Sequence, residues 1–241
     1  VDQMEKNMLE TYIFGDMANP NVLTDYYARR HTIQYRANFL LLAEQLFVLG
    51  RENEAIKVLD RAMQIMPEET VMDYGDINPV DPFNSLNYNK AHNQFMFQGQ
   101  DIRPLNAGIL HEFVQLYYEL GQTKKAEALG QKLLDNYKTV IAYFEHSDVE
   151  MAGNEENAED LIAVADALLK MRTTAKEQLA GMKATAFSRE LERTIQVLYK
   201  KVLPRIYSGL DALASENGEA GDGLYSNRLG NLQLYMGALA E

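Results

Sequence analysis

Residues 36–67 read RANFLLLAEQLFVLGRENEAIKVLDRAMQIMP. Phe39, Leu42, Ala43, Leu46 and Leu49 recur at steps of three and one, which puts them on one helical face. Gly50 breaks that pattern. Ala55, Leu59 and Ala62 resume it at steps of four and three, and Pro67 ends it. Proline cannot donate the hydrogen bond that a further turn needs. The stretch is therefore expected to be two amphipathic helices joined by a tight turn at Gly50.

This pattern resembles the tetratricopeptide repeat. A bulky residue opens the first helix, and the small Ala43 sits at its tight contact. Gly50 lies at the turn, Ala55 and Ala62 mark the second helix where backbones approach closely, and Pro67 closes the unit. The resemblance implies a surface for binding and no chemistry of its own. A second, degenerate copy follows. Gly121 and Ala126 lie 71 residues after Gly50 and Ala55. Leu110, Phe113, Val114, Tyr117 and Leu120 form the face before the glycine; Ala126, Leu129 and Leu133 form the face after it. Gly130 stands where Leu59 stood, and Lys138 where Pro67 stood. Two repeats take about 68 residues, so one irregular unit is expected between the copies.

Composition bounds the class. The 241 residues are 46% hydrophobic, which suits a packed protein and not a disordered one. A net charge of −12 argues against nucleic acid and anionic membrane surfaces as partners, since both demand lysine and arginine. The chain has no cysteine, which removes disulfides, zinc–thiolate sites and thiol nucleophiles but leaves the compartment open. It begins at Val1 without a signal-peptide pattern, and it is expected to be a piece of something longer.

The segment 68–103 is the least repeat-like. It is rich in Asp, Asn, Gly and Pro, with Asp81-Pro82 predicting the start of a short helix that runs to about Phe97. Pro104 is expected to open the next long helix. After Lys138 the periodicity stays helical. Val140, Ile141 and Phe144 form one face; Leu161, Val164, Ala165, Leu168 and Leu169 form another, with Asn157 as N-cap; Leu191, Ile195, Leu198 and Val202 form a third. Pro204 is expected to kink or end that helix. Leu210 and Leu213 fit its continuation. Gly218, Gly221 and Gly223 predict a flexible connection over 216–227, before a short terminal helix carrying Leu229, Leu232, Tyr235 and Met236. Strand-type alternation is absent. The expected fold is all-α: tetratricopeptide-like hairpins over 1–137, stacked into a right-handed superhelix with an irregular insertion at 68–103, and additional C-terminal helices over 138–241.

No catalytic constellation emerges. His111-Glu112 begins a metalloprotease-like pattern, but Gln115 replaces the second histidine, so no zinc pair forms. Asp73, Gly75, Asp76, Asn78 and Asp81 imitate a calcium loop, but Gly75 takes a ligand position and Pro79 interrupts. Gly221-Asp222-Gly223 lacks both the third glycine and a preceding strand. No catalytic residue, metal site or cofactor is assigned. Two surfaces are candidates for binding. Tyr74, Phe83, Tyr88, Phe95 and Phe97 cluster among amides and carboxylates, where rings stack on sugars or hold a peptide, or else pin a loop to the core. His111 is the neighbouring candidate. From Thr139 to Lys170 eight carboxylates face a single lysine, a surface suited to a basic partner or simply to solvent. Arg29, Arg30 and Arg36 are available to pair with acids elsewhere.

A further resemblance rests on Phe14-Gly15-Asp16, Asn19-Pro20-Asn21-Val22, Arg29-Arg30, Leu42-Ala43, Gly50, Val58-Leu59-Asp60 and Met66-Pro67-Glu68-Glu69. Over residues 12 to 137 the chain resembles the C-terminal soluble region of a family of bacterial multi-pass membrane proteins known as domain of unknown function 2723. The membrane core of that family is similar to glycosyltransferase-C enzymes such as protein O-mannosyltransferases. The resemblance implies a non-enzymatic accessory or interaction domain attached to the bacterial inner membrane on the periplasmic side. It implies a protein or peptide partner, which includes the parent's membrane part, and no family catalytic residue maps here. The alternative from another class is a soluble helical carbohydrate- or peptide-binding protein that uses the 74–97 aromatic segment.

Overall fold

The computed structural model describes residues 1–19, 21–22, 26–67, 96–97, 100–101, 103–146, 155–181 and 183–240. The protein is all-α. Helix α1 (Asp2–Lys6) runs into one π-helical turn (Asn7–Thr11). Helices α2 (Tyr26–Val48), α3 (Glu52–Ile65), α4 (Arg103–Glu119), α5 (Thr123–His146), α6 (Glu155–Gln178), α7 (Ala186–Val197) and α8 (Leu203–Ala240) follow. Two-residue strands, β1 (Met96–Phe97) and β2 (Gln100–Asp101), pair antiparallel between α3 and α4. The helix expected to reach Phe97 therefore does not extend that far. The rest of segment 68–95 lies outside the described residues.

The turns of the two repeat copies are the same at atomic detail. Gly50 and Gly121 adopt φ of 72° and 69°. Arg51 N–H donates to the Leu46 carbonyl at 2.8 Å, and Gly50 N–H to that of Phe47 at 2.9 Å. Gln122 N–H donates to Tyr117 at 2.7 Å, and Gly121 N–H to Tyr118 at 2.9 Å. Each is a left-handed glycine cap with paired reverse bonds, which satisfies carbonyls that a helix end leaves open. The reversal lays α2 on α3. Phe39, Leu42, Ala43, Leu46, Ala55, Val58, Leu59 and Ala62 are all buried. Leu49 is a correction: it is 58% exposed, because it lies past Val48 where the chain is already reversing, and the inward face of α2 stops at Leu46.

Helix α3 stops at Ile65 because the residue before proline avoids the helical region, and Met66 has φ −129° and ψ 61°. With Lys138 at the corresponding place, α5 continues to His146. The chain divides into two compact units, and the described boundary falls inside α5 between Leu133 and Leu134. In the second unit Val140, Ile141 and Phe144 of α5 are buried, as are Leu161, Val164, Ala165 and Leu168 of α6.

Three expectations for the C-terminal region need correction. Helix α6 begins at Glu155, so Asn157 lies inside it and does not cap it. Pro204 does not end the helix, which runs through it from Leu203 to Ala240. A π-helical turn (Leu198–Val202) precedes it, with Leu203 N–H donating to the Leu198 carbonyl. The wider turn absorbs the proline ring and its missing donor. The glycine-rich 216–227 stretch is helical, part of the continuous α8. Glycine costs about 1 kcal/mol relative to alanine in a helix interior. Buried anchors on both sides offset that cost: Leu203, Ile206, Leu210 and Ala214 before it, Leu232 and Leu239 after it.

Two substitutions probe this register. Ala62 is 1% exposed, so Ala62→Leu should overpack the hairpin by about 1–3 kcal/mol. Gly121→Ala meets no atom within 4 Å, so its cost is conformational alone, about 1–2 kcal/mol for a left-handed residue with a Cβ. Both should lower the melting temperature. An unchanged melting curve for either variant contradicts the assigned turn.

Candidate functional site

Tyr74, Phe83, Tyr88 and Phe95 lie outside the described residues, as do the calcium-like loop residues 73–81. The backbone of Phe97 pairs with Gln100 in the short ladder. His111 is half-buried on α4, and Gln115 one turn later donates to Glu119 on the same helix at 2.9 Å. Among the described residues no group of three or more His, Asp or Glu is arranged to hold a metal ion.

Other charged residues have found internal roles. Arg36 is fully buried, and its guanidinium donates to the Met66 carbonyl at 2.9 Å, at the carbonyl end of α3. Asp60 of α3 accepts from the Tyr117 hydroxyl of α4 at 3.0 Å and from Lys125 of α5 at 2.6 Å, tying one hairpin to the next. Arg51 pairs with Asp2 and Glu5, which fastens α1 to the first turn. Two of the acids between Thr139 and Lys170 are likewise engaged. Glu145 pairs with Lys201 at 3.0 Å, and that hydrogen bond holds its carboxyl below the usual range. Asp166 pairs with Lys170 and accepts from the Tyr235 hydroxyl of α8 at 3.2 Å.

In the second unit, α7 lies between two clefts. The one shared with α5 has a volume of about 450 Å³ and is lined by Ile141, Ala142, Thr194 and Val197 among others. Three of its four charged side chains are paired, Lys138 with Glu190 and Glu145 with Lys201, and the fourth, Arg193, lines both clefts. The cleft shared with α6 has a volume of about 390 Å³ and differs in kind. Ala175, Leu179, Ala184 and Leu191 supply apolar wall. Arg172, Lys176, Arg189 and Arg193 supply four cations against one carboxylate, Glu192. None of the four forms an ion pair with a described residue. Arg172 is 6% exposed and donates to the Leu239 and Ala238 carbonyls at 3.0 and 2.7 Å, while Arg189 donates to the Ala184 carbonyl at 2.6 Å. Thr185 caps α7 at this rim, accepting from the Ser188 N–H at 3.1 Å. Sequence reasoning passed over this cleft. Its signal was present as Arg172/Lys176 and Arg189/Arg193, two pairs of like charges one turn apart on successive helices.

Comparison with family models, curated proteins and solved structures returns no match. The geometry itself is therefore what bears on function.

One electrostatic tension in the first unit is measurable. Glu44 of α2 is half-buried near Glu112 and Glu119 of α4. Burial first, and then these two like charges, raises its carboxyl above the ordinary range. A raised native pKa contributes stability that is present at low pH and lost as pH rises through the native value. Glu44→Gln should therefore raise the melting temperature at pH 7. The gain should vanish as the pH falls below about 4.3, the ordinary glutamate value. A gain of equal size at both pH values contradicts the assignment.

Proposed function

We propose that this chain is a non-catalytic interaction module. Its helical hairpins are tetratricopeptide-like units of a right-handed superhelix, and it is an accessory domain of a bacterial membrane protein that resembles a glycosyltransferase-C enzyme. The partner is a protein or peptide segment, the parent's membrane part included, and the module sits on the periplasmic side of the inner membrane.

The observation that carries this reading is the pair of hairpin turns. Gly50 and Gly121 take the same left-handed conformation and the same reverse bonds, followed by Ala55 and Ala126, both fully buried. Hairpins built alike bury one face on a neighbour and leave another for binding. A surface for such contact exists on α2 and its end, where Leu41, Val48 and Leu49 are exposed. No helix among the described residues is long and apolar enough to cross a membrane, so attachment would come from chain beyond the segment described.

The absence of cysteine makes the reading directly testable. In the full reading frame, with cysteines elsewhere replaced, Val48→Cys at this 78% exposed position becomes the single thiol. An impermeant maleimide should label it from the periplasmic side, and alkaline washing should leave the protein in the membrane. Labelling only after lysis overturns the periplasmic placement, and release by the wash overturns the attachment. A photo-crosslinker at position 48 should capture a protein neighbour; recovery of uncrosslinked protein alone contradicts the interaction role.

A further inference from the structure

The α6–α7 cleft is the most unusual electrostatic feature of the second unit. The chain carries −12, yet four cations converge on one cavity. Arg172 and Lys176 are one helical turn apart on α6, and Arg189 and Arg193 one turn apart on α7. Like charges at that spacing destabilise a helix by about 0.2–0.5 kcal/mol per pair. Several cations elsewhere meet carboxylates, as at Arg51, Lys125, Lys138 and Lys201. The four here form no ion pair with a described residue. Arg172 is held by backbone carbonyls of α8, and Arg189 by the Ala184 carbonyl, so both are positioned without being neutralised. Lys176 and Arg193 are exposed at the rim and have no described hydrogen-bond partner.

We propose that this cleft binds a small amphiphilic oxyanion: one carboxylate or phosphate on a short apolar stem. The cations supply the charge, with at least Arg172 prepositioned by its carbonyl bonds, which lowers the ordering cost of binding. Ala175, Leu179, Ala184 and Leu191 receive the stem. The volume of about 390 Å³ lies in the range of small-molecule sites. A free inorganic anion would leave the apolar wall uncovered, and a cationic amphiphile would meet four like charges. This site is independent of the hairpin surface in the first unit, so it stands or falls separately from the proposed interaction role.

Equilibrium dialysis of the purified chain at low salt against octanoate and octyl phosphate tests it. Both should bind at one site, with affinity falling as salt rises. Inorganic phosphate and octanol should each bind at least tenfold more weakly, and octyltrimethylammonium should not bind. The double variant Lys176→Gln/Arg193→Gln removes two rim cations that hold no structural bond. It relieves a like-charge pair on each helix, so it should keep or slightly raise the melting temperature, weaken both amphiphilic anions at least tenfold and flatten the salt dependence. Lys57→Gln/Lys124→Gln, an equal charge change in the first unit, should leave affinity unaltered. The proposal is overturned if neither anionic amphiphile binds better than octanol, or if inorganic phosphate binds as tightly as octyl phosphate. Equal loss in the two double variants overturns it as well, since overall charge and not the cleft would then govern binding.

Discussion

The first unit depends on a backbone constraint at two glycines. The chain must reverse between α2 and α3, and again between α4 and α5, within three residues each time. That is possible when the turning residue takes the left-handed conformation, which costs any residue with a Cβ. Gly50 and Gly121 supply it, and their N–H groups bond back into the last turn of the preceding helix. Given that reversal, the apolar faces of α2 and α3 meet. The small Ala55 and Ala62 let the helices approach, and the rings and branched chains around Phe39, Leu42 and Leu59 exclude water. Asp60 then reaches both helices of the following hairpin through Tyr117 and Lys125.

Proline acts in opposite ways at two places, and the difference is one of context. Pro67 pushes Met66 out of the helical region, and α3 ends. Lys138 carries no such restriction, so α5 runs on and contributes residues to the second unit. Pro204 also lacks a donor, but there the preceding turn widens to the π form, and the helix proceeds through it. Side chains on both sides, Leu198 and Val202 before and Ile206 and Leu210 after, are buried. Local preference sets the cost of continuing; packing decides whether that cost is met.

Charge is distributed by the same logic. The chain is strongly acidic, yet Glu145 and Asp166 are bound to partners on other helices and are not a bare acidic face. Among the described cations some tie elements together, and four line the α6–α7 cleft. Ion pairs exposed as these are stabilise little individually, about 0–1 kcal/mol. Their value lies in orientation, as where Arg51 fastens α1 and Asp60 joins two hairpins. The cations around the cleft meet one carboxylate, Glu192, and form no ion pair with a described residue.

Helix content, the two glycine turns and the larger part of the core were legible in the sequence, while buried residues such as Leu134, Tyr137, Phe187, Leu203 and Ile206 were not. The physical basis is short range: a 3.6-residue period marks the buried face, and a glycine between two such faces marks a reversal. Leu42, Leu46, Leu59, Phe113, Leu133, Phe144 and Leu191 needed nothing more to be placed inside. What the sequence could not reveal depends on residues far apart in the chain. The glycine-rich 216–227 stretch has a poor local helix preference. It is helical between buried anchors, Leu210 and Ala214 before it and Leu232 and Leu239 after it, and Arg172 and Asp166 of α6 bond to the far end of α8. The sequence shows the two i,i+4 pairs of cations but not that they line one cleft, which forms only where α6 and α7 meet. Sequence by itself determined the all-α class and the hairpin register, because those follow from local geometry. Tertiary structure alone decided where α8 continues and where the cations converge, because both depend on interactions between helices that no local pattern encodes.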